Sequence, residues 1–109
     1  MIPNPVSLAR VFPRTGIALA LALAAGFAGA ADITRGGSLY SNYCAVCHGP
    51  NGNPVMPGAP NFRRMETLMR PDMQLMATIR SGKGAMPGYF GVLRDREILD
   101  VIAYLRTLS

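Results

Sequence analysis

The sequence predicts an all-α domain of three main helices joined by ordered loops. Three observations carry this. Ile98, Val101, Ile102 and Leu105 recur at the i, i+3, i+4, i+7 spacing of one helix face. No stretch alternates apolar and polar residues as a half-buried strand does. The segments between helical stretches are dense in glycine and proline, which break regular structure. At 109 residues there is room for one small domain.

The first thirty residues read as a secretory leader. Arg10 and Arg14 supply the positive start, Ile17 to Phe27 is an unbroken apolar run, and Ala28-Gly29-Ala30 has the small-x-small form of a cleavage site. The apolar stretch ends at Ala31, short of the roughly 20 residues that span hydrocarbon, which favours cleavage over retention as an anchor. The two arginines are not adjacent, so general secretion to the periplasm is expected, not the twin-arginine route. The expected division is a signal peptide over residues 1–30 and a domain over 31–109. Losing Arg10 and Arg14 with the leader leaves nine basic and six acidic side chains, a formal +3. With no basic run, nucleic acid is not an expected partner.

The domain opens with a helix expected from Asp32 to Cys47. Asp32 or Thr34 can cap it, and Gly36, Tyr40 and Cys44 fall on one face at spacings of four. A helical glycine costs about 1 kcal/mol relative to alanine, so Gly36 marks either a close approach by another helix or a frayed first turn. The helix runs into Cys44-Ala45-Val46-Cys47-His48, the attachment pattern of a c-type haem. Each thiol adds across one vinyl group of a flat macrocycle, and cysteines three apart on a helical turn project to the same side. His48 follows as the proximal iron ligand. A dithiol redox motif would need the strand pattern that is missing here. A closed zinc site would need four ligands, and there is no further Cys or His. Both cysteines being claimed by haem, no disulfide is expected.

From Gly49 to Phe62, four prolines and three glycines predict an ordered loop. A ligating histidine needs its second ring nitrogen held by an acceptor, and the Pro60 carbonyl is the candidate. Arg63 to Arg70 can form a short helix. The next helix is expected from Pro71, suited to a first helical position, to Gly82. Residues 81–91 are again irregular. The last helix is expected from Asp95 to Leu108, with Asp95 and Glu97 at its positive end and Arg106 at its negative one.

The sixth iron position decides the chemistry, and no second histidine is present to fill it. Of six methionines after the leader, Met73 and Met76 sit in a helical stretch, and Met65 and Met69 share a helical spacing; all four read as filler. Met56 in Val-Met-Pro-Gly and Met86 in Ala-Met-Pro-Gly remain. The eight residues from His48 to Met56 could reach about 27 Å when extended, but they also anchor the proximal side. That favours Met86 while leaving Met56, and an open site, as alternatives.

Taken together, these features give the chain a family likeness. Over nearly all of residues 32–108 it resembles the class I cytochromes c, especially small bacterial single-haem domains akin to the cytochrome subunit of cbb3-type oxidases. The resemblance rests on Cys44-Ala45-Val46-Cys47-His48-Gly49, on Gly82-Lys83-Gly84-Ala85-Met86-Pro87-Gly88, on the Gly36, Tyr40, Cys44 series and on Tyr104-Leu105-Arg106. It implies the class I cytochrome c fold around one covalent haem, with Met86 as distal ligand. It further implies terminal helices that cross at Gly36 and pack through aromatics, and a Pro60 carbonyl that receives the histidine N–H. Tyr40, Phe62 and Tyr104 are expected to line the haem pocket or support its packing. The family's lysine-rich docking ring is missing, since Lys83 is the only lysine.

The function expected is electron transfer between redox proteins, from a donor dehydrogenase or reductase to an acceptor oxidase or another cytochrome, with no enzyme activity. The chain can also be a subunit of a larger complex, with membrane association only through a partner or an uncleaved leader. The alternative is a haem enzyme or gas sensor with an open distal site, where Lys83 and Tyr89 would be the polar groups at hand.

Overall fold

The Asp32 carboxylate accepts the Arg35 N–H at 2.9 Å, and this cap starts α1, Ile33–Tyr43. The computed structural model describes residues 2–4 and 29–109. Residues Met1–Ala30 form a unit separate from Ala31–Ser109, and the expected leader lies almost wholly outside the described residues. After α1 come α2, Ala45–His48; a 3₁₀ turn, Met65–Leu68; α3, Asp72–Ser81; and α4, Asp95–Leu105. The described residues contain no strand beyond one isolated bridge between Lys83 and Met86. Among the described residues the chain adopts the all-α class, with three main helices.

The apolar stripe of α4 feeds two cores. Val101 and Leu105 pack with Tyr40 and Leu68, while Ile98 and Ile102 pack with Met76 and Leu93. α1 crosses α4 at Gly36, where a Cβ would stand 2.0 Å from the Asp100 carbonyl oxygen. The glycine therefore marks a close approach, not a frayed turn. The Tyr104 ring lies over Gly37, 3.1 Å from where its Cβ would be.

Asp100, at 0 % exposure, fastens this crossing. It accepts the Asp32 N–H at 2.7 Å and pairs with the Arg35 guanidinium through Nε at 2.6 Å. Burial alone would push this carboxyl up; the Asp32 N–H and the Arg35 and Arg96 charges outweigh it and hold it below the usual carboxylate range. Arg106, expected only to complement the helix dipole, reaches further. Its guanidinium donates to the Leu68 carbonyl at 2.7 Å and the Arg70 carbonyl at 3.1 Å, and pairs with Asp72, tying the end of α4 to the start of α3.

Boundaries differ from expectation at four places. The first helix does not run to Cys47: Cys44 (φ −117°, ψ −35°) interrupts it and begins a separate short helix. The stretch Arg63 to Arg70 yields only the 3₁₀ turn. Pro71 is the N-cap of α3, not its first residue. α4 stops at Leu105 because the Thr107 hydroxyl takes the Tyr104 carbonyl at 2.6 Å and the chain tightens into i→i+3 bonds. Leu108 nonetheless packs on the first core.

Candidate haem site

α2 and its N-cap Cys44 carry the two thiols and the imidazole, and the loop after them folds back to hold them. Gly49 turns the chain at φ 79°, where a Cβ would meet the Asn53 carbonyl oxygen at 1.9 Å. The N–H groups of Val55 and Met56 both donate to the Cys47 carbonyl at 3.1 Å, and the Phe62 N–H closes the loop on the Gly52 carbonyl at 2.9 Å. From α1, the buried Tyr40 hydroxyl donates to the Gly49 carbonyl at 2.5 Å and more weakly to that of His48 at 3.3 Å. Burial, aided by the nearby Cys44, pushes this phenol up to about 12, so it is a donor at every physiological pH.

His48 is 7 % exposed. Phe62 stacks on its ring, 4.5 Å between centroids and 23° from parallel. Phe62 meets Tyr40 edge-on at 6.4 Å, and Tyr104 leans on Tyr40 at 5.3 Å. The expected aromatics thus converge on the histidine, Tyr104 through Tyr40. Burial lowers the His48 pKa, and the Pro60 carbonyl opposes it as an acceptor beside the ring. That contact stops short of a well-formed hydrogen bond: His48 Nδ1 is the buried side-chain polar atom left unpartnered among the described residues.

Cys44 and Cys47 are free and half-buried. Burial pushes the Cys44 thiol up to about 11, keeping it protonated. Among the described residues no three His, Cys, Asp or Glu side chains gather where they could hold one ion. The thiols and imidazole are therefore not arranged as a closed zinc site.

The two candidate methionines sit in different settings. Met56, 39 % exposed, has its amide on the Cys47 carbonyl, within the segment that carries His48. Met86 is half-buried in a tight turn, where Lys83 and Met86 exchange two backbone hydrogen bonds of 3.0 Å around Gly84. The positive φ of Gly84 (56°) suits the first central position of such a turn. Gly82 and Gly88 pack backbone on backbone to join this turn to the end of α3.

One residue makes a contact that the sequence did not indicate. Tyr89, read only as a polar group for an open distal site, has its phenol pushed up by burial and, to a lesser extent, by the nearby Cys44 and Cys47. Its hydroxyl is already engaged, on the Tyr43 carbonyl at 2.7 Å. The acceptor is backbone, so no side-chain pairing in the sequence signals it.

Residues 31–105 match the family described as "Cytochrome C oxidase, cbb3-type, subunit III". The chain belongs to the small class I c-type cytochromes. Cytochrome c6 of Thermosynechococcus vestitus is 38% identical over 80 residues, covering 70% of each chain. That of Parathermosynechococcus lividus is 37% identical over 79 residues, 69% of this chain and 88% of the other. That of the alga Tetradesmus obliquus is 36% identical over 80 residues, covering 69% and 89%. As a c-type cytochrome the protein carries one covalently attached haem c with its iron. The residues present fit such a group: two free thiols three positions apart, next to a buried imidazole whose unpartnered Nδ1 has the Pro60 carbonyl beside it as an acceptor, leaving the other ring nitrogen for a metal.

Proposed function

We propose that this cytochrome is an exported single-electron carrier, not an enzyme, in which Cys44 and Cys47 hold the haem and His48 and Met86 ligate its iron. The observation that carries the reading is the buried His48, stacked on Phe62 on the same short helix as Cys47. Bound haem supplies a one-electron ferric/ferrous couple, and a thioether ligand favours the ferrous state. Everything else falls to the chain. Tyr40 fixes the backbone of His48 and Gly49, and Phe62 limits rotation of the imidazole. The Pro60 carbonyl is the acceptor for Nδ1–H once the other ring nitrogen is committed to iron, which sets the tautomer.

Met86 is favoured over Met56 by anchoring. The Met56 amide is bound into the proximal segment, whereas the Met86 turn is anchored outside that segment, on the end of α3, from where it would address the other haem face. A leader over residues 1–30, cleaved after Ala30, would deliver the chain to the periplasm by general secretion. Redox proteins are its partners there, exchanging electrons at an exposed haem edge.

The test is the ferric optical spectrum of wild type, Met86→Ala and Met56→Ala, read for the weak red-edge band of iron–thioether ligation. The band is expected in wild type and Met56→Ala and lost in Met86→Ala. Its survival in Met86→Ala would move the ligand. A wild type without it that binds carbon monoxide readily would favour a haem enzyme or gas sensor. Intact mass reports haem attachment and leader removal together.

A further inference from the structure

Beyond the proposed ligands, one side-chain contact joins the Met86 turn to the haem-attachment segment. Tyr89 lies three residues past Met86, and its hydroxyl donates to the carbonyl of Tyr43, the residue before Cys44. The break at Cys44 makes that carbonyl available. In a continuous helix it would accept the Cys47 N–H, but Cys47 N–H turns to the Cys44 carbonyl at 3.2 Å. The ring of Tyr89 meets that of Tyr43 edge-on, with centroids 6.0 Å apart and planes at 80°. Its backbone is held as well. The Tyr89 N–H donates to the Ile79 carbonyl at 3.0 Å, and its own carbonyl receives the N–H groups of Val92 and Leu93 at 2.9 and 3.0 Å. Preceding it, Gly88 lies so close to the Ser81 backbone that a Cβ would stand 2.8 Å away. A phenol on so fixed a base has its reach set in advance.

We propose that Tyr89 is a positioning residue: its bond to the Tyr43 carbonyl latches the Met86 turn to the end of α1, directly before Cys44, and keeps Met86 on the iron. This rests on the His48/Met86 reading. An entering ligand binds only while Met86 is away, so its apparent affinity scales with the fraction of molecules in that open state. Removing one ordinary hydrogen bond from the closed state is expected to raise that fraction about fivefold.

The experiment is imidazole titration of the ferric, haem-loaded protein, comparing wild type, Tyr89→Phe and Tyr43→Phe. Tyr89→Phe keeps the ring contact and is expected to bind imidazole about fivefold more tightly, with the red-edge band retained before imidazole is added. Tyr43→Phe is expected to match wild type, because the acceptor is backbone. Wild-type affinity in Tyr89→Phe would overturn the latch. An equal gain in Tyr43→Phe would also overturn it, by showing a general loosening of the aromatic pair. A band missing from wild type, or persisting in Met86→Ala, would instead overturn the ligand assignment and the latch with it.

Discussion

The loops at residues 49–62 and 82–91 are built from the same vocabulary, glycine and proline around a Met-Pro-Gly, yet they are anchored in opposite ways. The first is tied to the segment that bears His48, through the Tyr40 hydroxyl, the Cys47 carbonyl and the turn at Gly49. The second is tied to the end of α3 by backbone contact at Gly82 and Gly88, and returns to α1 through one phenol. Local sequence that is nearly identical therefore ends in different settings. What differs is the set of hydrogen bonds outside the Met-Pro-Gly unit, and these place the two methionines on different supports.

That comparison can be broken from either side. The largest effect is expected from Gly49→Ala. Its Cβ would overlap the Asn53 carbonyl at an already left-handed φ, so a loss above about 4 kcal/mol in denaturant unfolding, or no folded protein, is expected. Next comes Asp100→Asn, which weakens the crossing on which both loops depend. Removing a charged acceptor from a buried pair is expected to cost about 2–3 kcal/mol at neutral pH.

Asp100 also gives a pH signature. Its folded pKa lies below the usual range, against about 3.9 for an unfolded aspartate. Its contribution is thus fully present above the unfolded value and is lost as pH falls through the folded one. Wild-type stability should decline in that acid window, and the Asn variant should show a shallower decline.

Tyr40→Phe sharpens the contrast between the loops. It removes the hydroxyl that pins Gly49, with an expected loss of about 1–2 kcal/mol, while the red-edge band of the distal side persists. A band lost with the hydroxyl would show that the two loops are not independently anchored. A comparably small effect belongs to Gly58→Ala. Its φ is 81° but nothing lies within 4 Å of the added Cβ, so only backbone strain of about 1–2 kcal/mol is expected. The gap between the Gly49 and Gly58 variants measures collision apart from strain.

Much of this was legible in the sequence because it is periodic or locally patterned. The apolar stripe of α4 and the Cys44, Cys47, His48 cluster each rest on fixed spacings, whereas the crossing at Gly36 followed only from the family resemblance. What was not legible depends on partners far along the chain. Asp100 interrupts an apolar helix face and looks like a surface residue until Asp32 and Arg35 are placed beside it. Tyr89 bonds a carbonyl 46 residues away. The break at Cys44 and the early end of α4 turn on which backbone groups win a given acceptor, a competition of a kcal/mol or so that composition does not reveal.

The Asp32–Asp100 contact spans 68 residues, and it has a consequence for how the domain is made. α1 finds its main packing partner in α4, so a nascent chain emerging amino end first cannot complete its core until the last helix has appeared. Until then Cys44 and Cys47, just past the end of α1, sit on an unfinished scaffold. The topology itself postpones closure until both ends of the domain are present.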